Sequence, residues 1–195
     1  AEPSEPGQAE AWIQFEVDRQ SETSQLEAIE KAVEAALHDV AVTVADWQPM
    51  RQAAQRAIRG LRRHSPAVDD DYLDEIIAFL EWVLDDHFTF LGYRRYDLRH
   101  RRGDLALCAI AGTGLGLLRE TDNDDHASSS FELLPPSMRE QATDPDPLLL
   151  TKSSHRATVH RRGYMDSIRV KRFNARGQLV GDHRFLGLYP SAASS

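Results

Sequence analysis

The spacing of the apolar residues changes abruptly near residue 85, and this change restricts the fold more than any other feature of the chain. Before it, apolar side chains recur every three or four residues, the period of one helix face: Tyr72, Ile76, Phe79, Leu80, Val83 and Leu84. After it the period is two, as in a strand, with Phe88, Phe90 and Gly92 alternating against Thr89, Leu91 and Tyr93. The pattern predicts a helix that gives way directly to a strand, with Asp85, Asp86 and His87 as the join.

A longer helical section precedes this switch. Ser24 and Glu27 form a Ser-x-x-Glu capping box, which predicts a helix start. An apolar stripe at helical spacing follows: Leu26, Ile29, Val33, Leu37, Val40 and Val44. Pro49 predicts an interruption, with Asp46 as the N-cap of a second helix. The stripe favours packing within the protein. A surface for a partner is the alternative, and an acidic polar face over residues 22–46 argues against a membrane surface.

Strand patterns dominate the rest of the chain. Residues 12–18 alternate apolar and polar side chains, and residues 105–111 read as a buried strand joined to the preceding one by a hairpin turn. Four more strands are predicted in the last third: residues 148–154, 156–162, 164–173 and 178–189. These elements predict an α+β fold, with long N-terminal helices followed by a domain that has one mainly antiparallel sheet. We expect two domains, residues 1–68 and residues 69–195.

Composition narrows the partners and the compartment. The chain has 195 residues, and its 31 acids against 23 bases give a net charge of −8, which argues against nucleic acid as a partner. The single cysteine, Cys108, excludes an internal disulfide and a structural zinc site built on cysteines. No apolar run reaches the roughly 20 residues of a membrane helix. We therefore expect a cytoplasmic protein without a membrane partner.

Two motifs resemble active sites at first sight. Asp85, Asp86 and His87 could be reactive, but sequence neighbours on a helix point in different directions, so a structural join is the favoured interpretation and no metal site is expected. Residues 112–117, GTGLGL, supply only two glycines of a GxGxxG fingerprint, because Leu117 stands where the third is needed. A tight turn is favoured over a dinucleotide loop.

Residues 151–172 are the one basic concentration in the chain. If residues 156–162 are a strand, then Arg156, Thr158, His160 and Arg162 lie on one face, where they could meet a carboxylate or a phosphate. A solvated strand face explains the same residues, and Ser/His nucleophilic catalysis is a third interpretation that lacks a visible oxyanion motif.

Four separated blocks of the sequence resemble the N-terminal region of the large bacterial NAD-specific glutamate dehydrogenases. They are FLEWVLDDHFTFLGYRRYDL, GTGLGLLR, LLLTKSSHRATVHRRGYMDSIRVKRF and GDHRFLGLYPSAA, and together they span about residues 72–195. The earlier helical part, ending in ADWQPMRQ, is similar to the segment just upstream in that family.

The resemblance implies that the chain is a non-catalytic part of a long polypeptide whose catalytic domain oxidises L-glutamate to 2-oxoglutarate with NAD. It implies no catalytic residue and no cofactor here, a PAS-like domain at residues 69–195, and the tail of an ACT-like unit plus a linker helix before it. The expected partners are other domains and subunits of that enzyme and a small anionic effector, such as an amino acid. For such a ligand the residues to test are His87, Arg156, His160 and Arg162. The alternatives are a purely structural packing or oligomerisation module and a small independent enzyme.

Overall fold

The computed structural model describes residues 14, 16, 18, 19, 21–64, 66–101, 104–120, 131–133, 144 and 146–190. Helix α1 (Thr23–Arg63) is followed by α2 (Asp70–Trp82) and a π-helical turn (Val83–His87). The strands are β1 (Thr89–Arg101), β2 (Asp104–Ala109), β3 (Leu115–Gly116), β4 (Phe131–Leu133), β5 (Leu148–Arg156), β6 (Tyr164–Phe173) and β7 (Leu179–Leu188). The predicted α+β class, with one antiparallel sheet, is confirmed.

Two compact units divide the chain, residues 1–34 and residues 35–195, with the boundary inside α1. In the first unit, Gln14, Glu16 and Asp18 have no strand conformation, so the predicted strand 12–18 is not seen at these positions, and its other residues lie outside the described ones. The predicted division after residue 68 stays a prediction. Within the described residues, no helix combines the length and the apolar character that a membrane span requires.

The second unit contains a sheet with the strand order β4-β2-β1-β7-β6-β5, and β3 pairs with β1 beside this path. All of its pairings are antiparallel. The larger core lies on one face of this sheet, where the second half of α1 and α2 contribute Met50, Ala53, Ile58, Leu61, Ile76 and Leu80, and the strands contribute Phe90, Tyr93, Ile168, Val170 and Phe185. A second cluster lies around Leu91, Met165 and Leu186. These strand residues alternate with those of the larger core, so their side chains lie on the other face of the sheet.

Helix α1 continues through Pro49, so the predicted break into two helices is wrong. Proline removes one helical N–H bond, and the cost is offset because the residues that follow, Met50 to Leu61, bury a continuous apolar stripe in the core. Asp46 is not an N-cap. It is 5% exposed, and it accepts hydrogen bonds from the Gly116 N–H and the Arg119 guanidinium.

The apolar stripe earlier in α1 was predicted to pack within the protein, and this prediction is wrong for the described residues. Leu37, Val40 and Val44 are 51%, 40% and 70% exposed, and Trp47 is 43% exposed. Because successive helix residues are about 100° apart, Leu37 and Val44 lie roughly a quarter turn or more from the face that carries Met50 and Ala54, whereas Val40 and Trp47 lie nearer to it. The alternative interpretation of the stripe, a surface for a partner, is the one compatible with these exposures.

The helix-to-strand join at Asp85, Asp86 and His87 is confirmed. Asp86 has a positive φ of 58°, which ends the helix, and Arg51 on α1 donates to its carboxylate at 2.7 Å. The His87 ring stacks on Trp82 at 4.5 Å, and its Nδ1 is 3.1 Å from the Trp82 carbonyl oxygen. The described residues contain no group of three side chains that could hold a metal ion.

The predicted strand 156–162 is wrong, because β5 ends at Arg156. Residues 157–163 leave the sheet and return, and a hydrogen bond from the Ala157 N–H to the Gly163 carbonyl closes this connection at 2.8 Å. His160 has a φ of 70°, which no strand contains. The alternation of Arg156, His160 and Arg162 on one strand face therefore does not exist.

Candidate functional site

A cleft of about 430 Å³ opens between α1 and the sheet, within the range of small-molecule sites. Its walls come from several elements of residues 35–195. They include Pro49 and Arg56 from α1, Tyr93 and Arg95 from β1, Gly112 and Thr113 from the β2–β3 connection, Leu115 from β3, Arg172 from β6 and His183 from β7. None of these nine lining residues is an aspartate or a glutamate.

The three arginines of the cleft differ in how much of their charge is already used. Among the described residues, no side chain or carbonyl accepts a hydrogen bond or forms an ion pair with the guanidinium of Arg56 or Arg95, and the Arg95 Nε is buried without a partner. Arg172 donates to the Tyr96 carbonyl at 3.1 Å and to Asp97 Oδ1 at 3.3 Å. The guanidinium groups of Arg56 and Arg95 are therefore available to an anion. Arg172 also has N–H groups that these two contacts do not use.

Gly181 explains how Arg172 reaches the cleft. In the strand pairing it stands between Arg172 on β6 and Asp97 on β1. A Cβ at Gly181 would lie 2.0 Å from the Tyr96 carbonyl oxygen, the same oxygen that accepts from Arg172. Only glycine leaves this crossing open, so the Arg172 side chain passes over β7 and arrives at the strand that carries Arg95.

Asp97 is shared between two arginines. Arg99 donates to its Oδ2 at 2.9 Å, and Arg172 approaches its Oδ1. Burial alone would raise the pKa of Asp97, but the hydrogen bonds and charges of Arg99 and Arg172 outweigh burial and hold the pKa below its ordinary value. The carboxylate therefore stays ionised and neutralises only part of the local positive charge.

The floor of the cleft is a neutral pair. The Tyr93 hydroxyl and His183 Nδ1 are 2.8 Å apart, and the two rings are stacked with centroids 5.9 Å apart. Burial lowers the pKa of His183 to about 3, and the positive charges of Arg172, Arg95 and Arg56 act in the same direction. Burial also raises the pKa of Tyr93 to about 12, so at neutral pH the pair carries no charge.

The rim of the cleft, residues 111–120, is fixed at several points. The Thr113 hydroxyl donates to the Ile110 carbonyl and accepts from the Arg95 N–H, while Glu120 accepts from the Gly112 N–H. Gly116 has a φ of 58°, and a Cβ there would lie 2.3 Å from the Leu91 carbonyl oxygen. The glycine-rich segment is thus the tight turn that its sequence favoured, and it presents a preformed wall to the cleft.

The four residues chosen from the sequence lie elsewhere, and none lines the cleft. His87 ends the π-helical turn, Arg156 ends β5 with its guanidinium 4.9 Å from the Tyr164 ring centre, and His160 and Arg162 are exposed in the connection that follows. The structure thus groups Arg156, His160 and Arg162 in one segment and keeps His87 on another element. As ligand-binding residues they stay a prediction.

Sequence reasoning missed Arg56, Arg95, Arg172 and His183. Each is ordinary in its own segment, and only the pairing of β1, β7 and β6 brings the strand residues together. A signal was present in the alternation: Arg172 continues the core face after Ile168 and Val170, and His183 shares a face with Phe185. Polar residues that continue an apolar strand face are the pattern that could have revealed the site.

No protein-family model matches the chain. A curated protein from Halomonas elongata named NAD-specific glutamate dehydrogenase is 35% identical to it over 189 residues, which cover 96% of this chain and 12% of that protein. A protein of the same name from Pseudomonas aeruginosa is 32% identical over 187 residues, covering 94% of the chain and 11% of that protein. Nearly all of this chain therefore corresponds to a small part of these large relatives.

Proposed function

We propose that the chain is a non-catalytic, regulatory segment of a large cytoplasmic NAD-specific glutamate dehydrogenase, and that it binds a small anionic effector in the cleft between α1 and the sheet. The parent enzyme would convert L-glutamate, NAD and water to 2-oxoglutarate, ammonia and NADH. Support for the family comes from two relatives of that name that align along 96% and 94% of the chain. The sheet domain would be PAS-like, with an ACT-like unit before it, and other domains and subunits would surround both.

The observation that carries the ligand proposal is the excess of positive charge in the cleft. Arg56, Arg95 and Arg172 line it, none of its described lining residues is acidic, and Asp97 neutralises Arg172 only in part. Like charges held together in a partly buried site raise its free energy unless an anion neutralises them. Guanidinium groups bind carboxylates and phosphates with charge-assisted hydrogen bonds, so an anion is the ligand that this cleft fits.

A second function is favoured by the exposed apolar residues of α1. Leu37, Val44 and Trp47 are 51%, 70% and 43% exposed, which is typical of surfaces that other domains cover. A purely architectural segment would use this face and would need no ligand. The two functions predict opposite results when anions are added to the protein.

Thermal unfolding of the 195-residue chain against a panel of anions tests the proposal. The panel would contain carboxylates, amino acids, inorganic phosphate and NAD. A ligand at 100 times its Kd adds about 2.7 kcal/mol to the free energy of unfolding, which raises Tm by several degrees. We expect a selective rise in Tm that Arg95→Ala abolishes and that Arg59→Ala, an exposed arginine one turn further along α1, leaves intact.

Two other results would redirect the assignment. If Arg156→Ala or Arg162→Ala removes the shift and Arg95→Ala does not, the ligand binds at the residues predicted from the sequence, with His87 and His160 as the next to test. If no anion raises Tm, the architectural function is favoured and the effector proposal is withdrawn.

A further inference from the structure

We infer that the ligand of the cleft carries two separate carboxylate groups, one bound by Arg95 and Arg172 at the sheet and the other by Arg56 on α1. This inference rests on the proposed function, because it assigns the chemical class of the anion that the cleft would bind.

The arginines of the cleft lie on two of its walls. Arg56 belongs to α1, whereas Arg95 belongs to β1 on the other side of the cleft. Arg172 joins Arg95, because its guanidinium crosses Gly181 and reaches the Tyr96 carbonyl oxygen at 3.1 Å. The sheet therefore offers a pair of guanidinium groups, which suits bidentate binding of one carboxylate, and the helix offers a single one across the gap.

The positive charge of the cleft matches a dianion better than a monoanion. Three arginines line the cleft, and Asp97, which contacts Arg172, also accepts from Arg99. Because Asp97 is shared with Arg99, its carboxylate offsets at most about one of the three charges and leaves an excess of at least about two. A monoanion would leave part of this charge unneutralised in the cleft, whereas a dianion would balance it.

The surface between the charged groups is partly apolar. Pro49 and Leu115 give the cleft apolar walls that methylene groups can contact. The Tyr93 and His183 side chains are hydrogen-bonded to each other, and the Thr113 hydroxyl is already used by the Ile110 carbonyl and the Arg95 N–H. Tyr93 is the one carbocyclic aromatic residue among the nine lining residues and is 3% exposed, so the cleft offers no stacking surface of that kind for a nucleotide base. A short aliphatic dicarboxylate matches these features better than a nucleotide or a compact phosphate ion.

Isothermal titration calorimetry with glutarate, monomethyl glutarate, acetate and inorganic phosphate tests this inference on the 195-residue chain at constant ionic strength. Glutarate and its monomethyl ester have nearly the same shape and differ by one charge. We expect glutarate to bind at least about tenfold more tightly than the ester, because one charge-assisted contact is lost. Arg56→Ala should reduce the affinity for glutarate to that for the ester and leave ester binding in place, while Arg95→Ala weakens both. Arg59→Ala should change neither.

The possible failures are distinguishable. Equal affinities for glutarate and the ester, or phosphate binding that is tighter than glutarate binding and independent of Arg56, would overturn the dicarboxylate inference and leave an anion-binding cleft. Absence of binding for all four probes, or binding that Arg95→Ala does not weaken, would overturn the anion-binding function together with it.

Discussion

Two groups of charged residues on the same side of the sheet use their charges in opposite ways. In the first, which we call the Asp46 tie, the carboxylate of Asp46 accepts from the Gly116 N–H at 2.8 Å and from two nitrogens of Arg119 at 2.6 and 3.1 Å. In the second, the cleft, Arg56 and Arg95 have no partner for their guanidinium groups among the described residues. The charges of the Asp46 tie are paired with each other within the fold, whereas the charges of Arg56 and Arg95 in the cleft are not paired with any described residue.

The difference indicates which charges hold the structure and which are available to a ligand. Asp46 joins α1 to the β3 turn, so it fixes the helix against the segment that forms the cleft rim. Removing it would leave a buried N–H and part of a guanidinium without an acceptor. Removing Arg95 would leave no group of the described residues unpaired, because its side chain forms no hydrogen bond with any of them. Stability should therefore depend on the tie, and ligand affinity on the cleft.

The largest effect on stability is expected for Asp46→Ala. The carboxylate is 7% exposed, but Arg119 is 48% exposed and regains water, so we expect a loss of about 2 kcal/mol rather than the full cost of breaking a buried ion pair. Urea unfolding monitored by circular dichroism measures it. Asp39→Ala, which removes one exposed hydrogen bond to Thr158 from the same helix, is the control and should cost less than about 1 kcal/mol. Equal losses of unfolding free energy in the two variants would show that the Asp46 tie contributes no more to stability than an exposed hydrogen bond.

Arg95→Ala should give the converse result. We expect ligand affinity to fall by about tenfold to a hundredfold, the loss of one or two charge-assisted hydrogen bonds, while the free energy of unfolding without ligand changes by less than about 0.5 kcal/mol. Calorimetric titration and urea unfolding of the same preparation measure both quantities. A stability loss as large as that of Asp46→Ala would place Arg95 with the structural charges.

His183 makes the cleft sensitive to acid in a predictable direction. Burial lowers its pKa from 6.5 to about 3. Between these two pH values His183 is protonated in the unfolded chain and remains neutral in the folded one. Stability from this residue is present above pH 6.5 and is lost as pH falls, by about 1 kcal/mol between pH 6.5 and 5.5.

Variants at the neutral pair isolate this contribution. His183→Gln should flatten the pH dependence of stability over that interval. Tyr93→Phe should keep it, because burial and the neighbouring arginines, not the tyrosine hydroxyl, cause the shift. An unchanged slope in His183→Gln would contradict a neutral floor to the cleft.

The smallest effect is expected for Arg156→Ala. Arg156 is exposed, and its main contact is with the Tyr164 ring at 4.9 Å, worth about 0.5–1 kcal/mol at a surface site. Neither stability nor anion affinity should change beyond this amount. A clear loss of anion affinity in this variant would instead place the ligand site at the connection after β5.

The sequence predicted elements well where one segment determines the outcome. The change of apolar period near Asp85 correctly placed the end of α2 and the start of β1, because the spacing of buried side chains follows directly from backbone geometry. It failed at Pro49, where packing of Met50 and the residues after it outweighs the local cost of proline. The prediction also failed after Arg156, because alternating polar residues do not form a strand without a buried face to support it.

The cleft could not be predicted in the same way, because its residues come together only through the order in which the strands pair in the sheet. Arg95 and His183 face each other in the β1–β7 register, and Arg172 reaches β1 only because Gly181 has no side chain. Adjacent residues with the same letters, Arg94 and Arg184, lie at the opposite alternation and outside the cleft. A charged residue on one strand can thus contribute to an anion site only when the neighbouring strands place other charged residues beside it.

NMR of the arginine Nε–H groups tests the central claim most directly, because the chain contains its own controls. The Nε atoms of Arg94, Arg95 and Arg184 are all buried without a hydrogen-bond partner, yet of these three only Arg95 lines the cleft. Titration with glutarate should shift the Nε–H signals of Arg95, Arg172 and Arg56 in a saturable way and leave those of Arg94 and Arg184 in place. Saturable binding that leaves the Arg95 signal unmoved, or that shifts all five alike, would contradict the account.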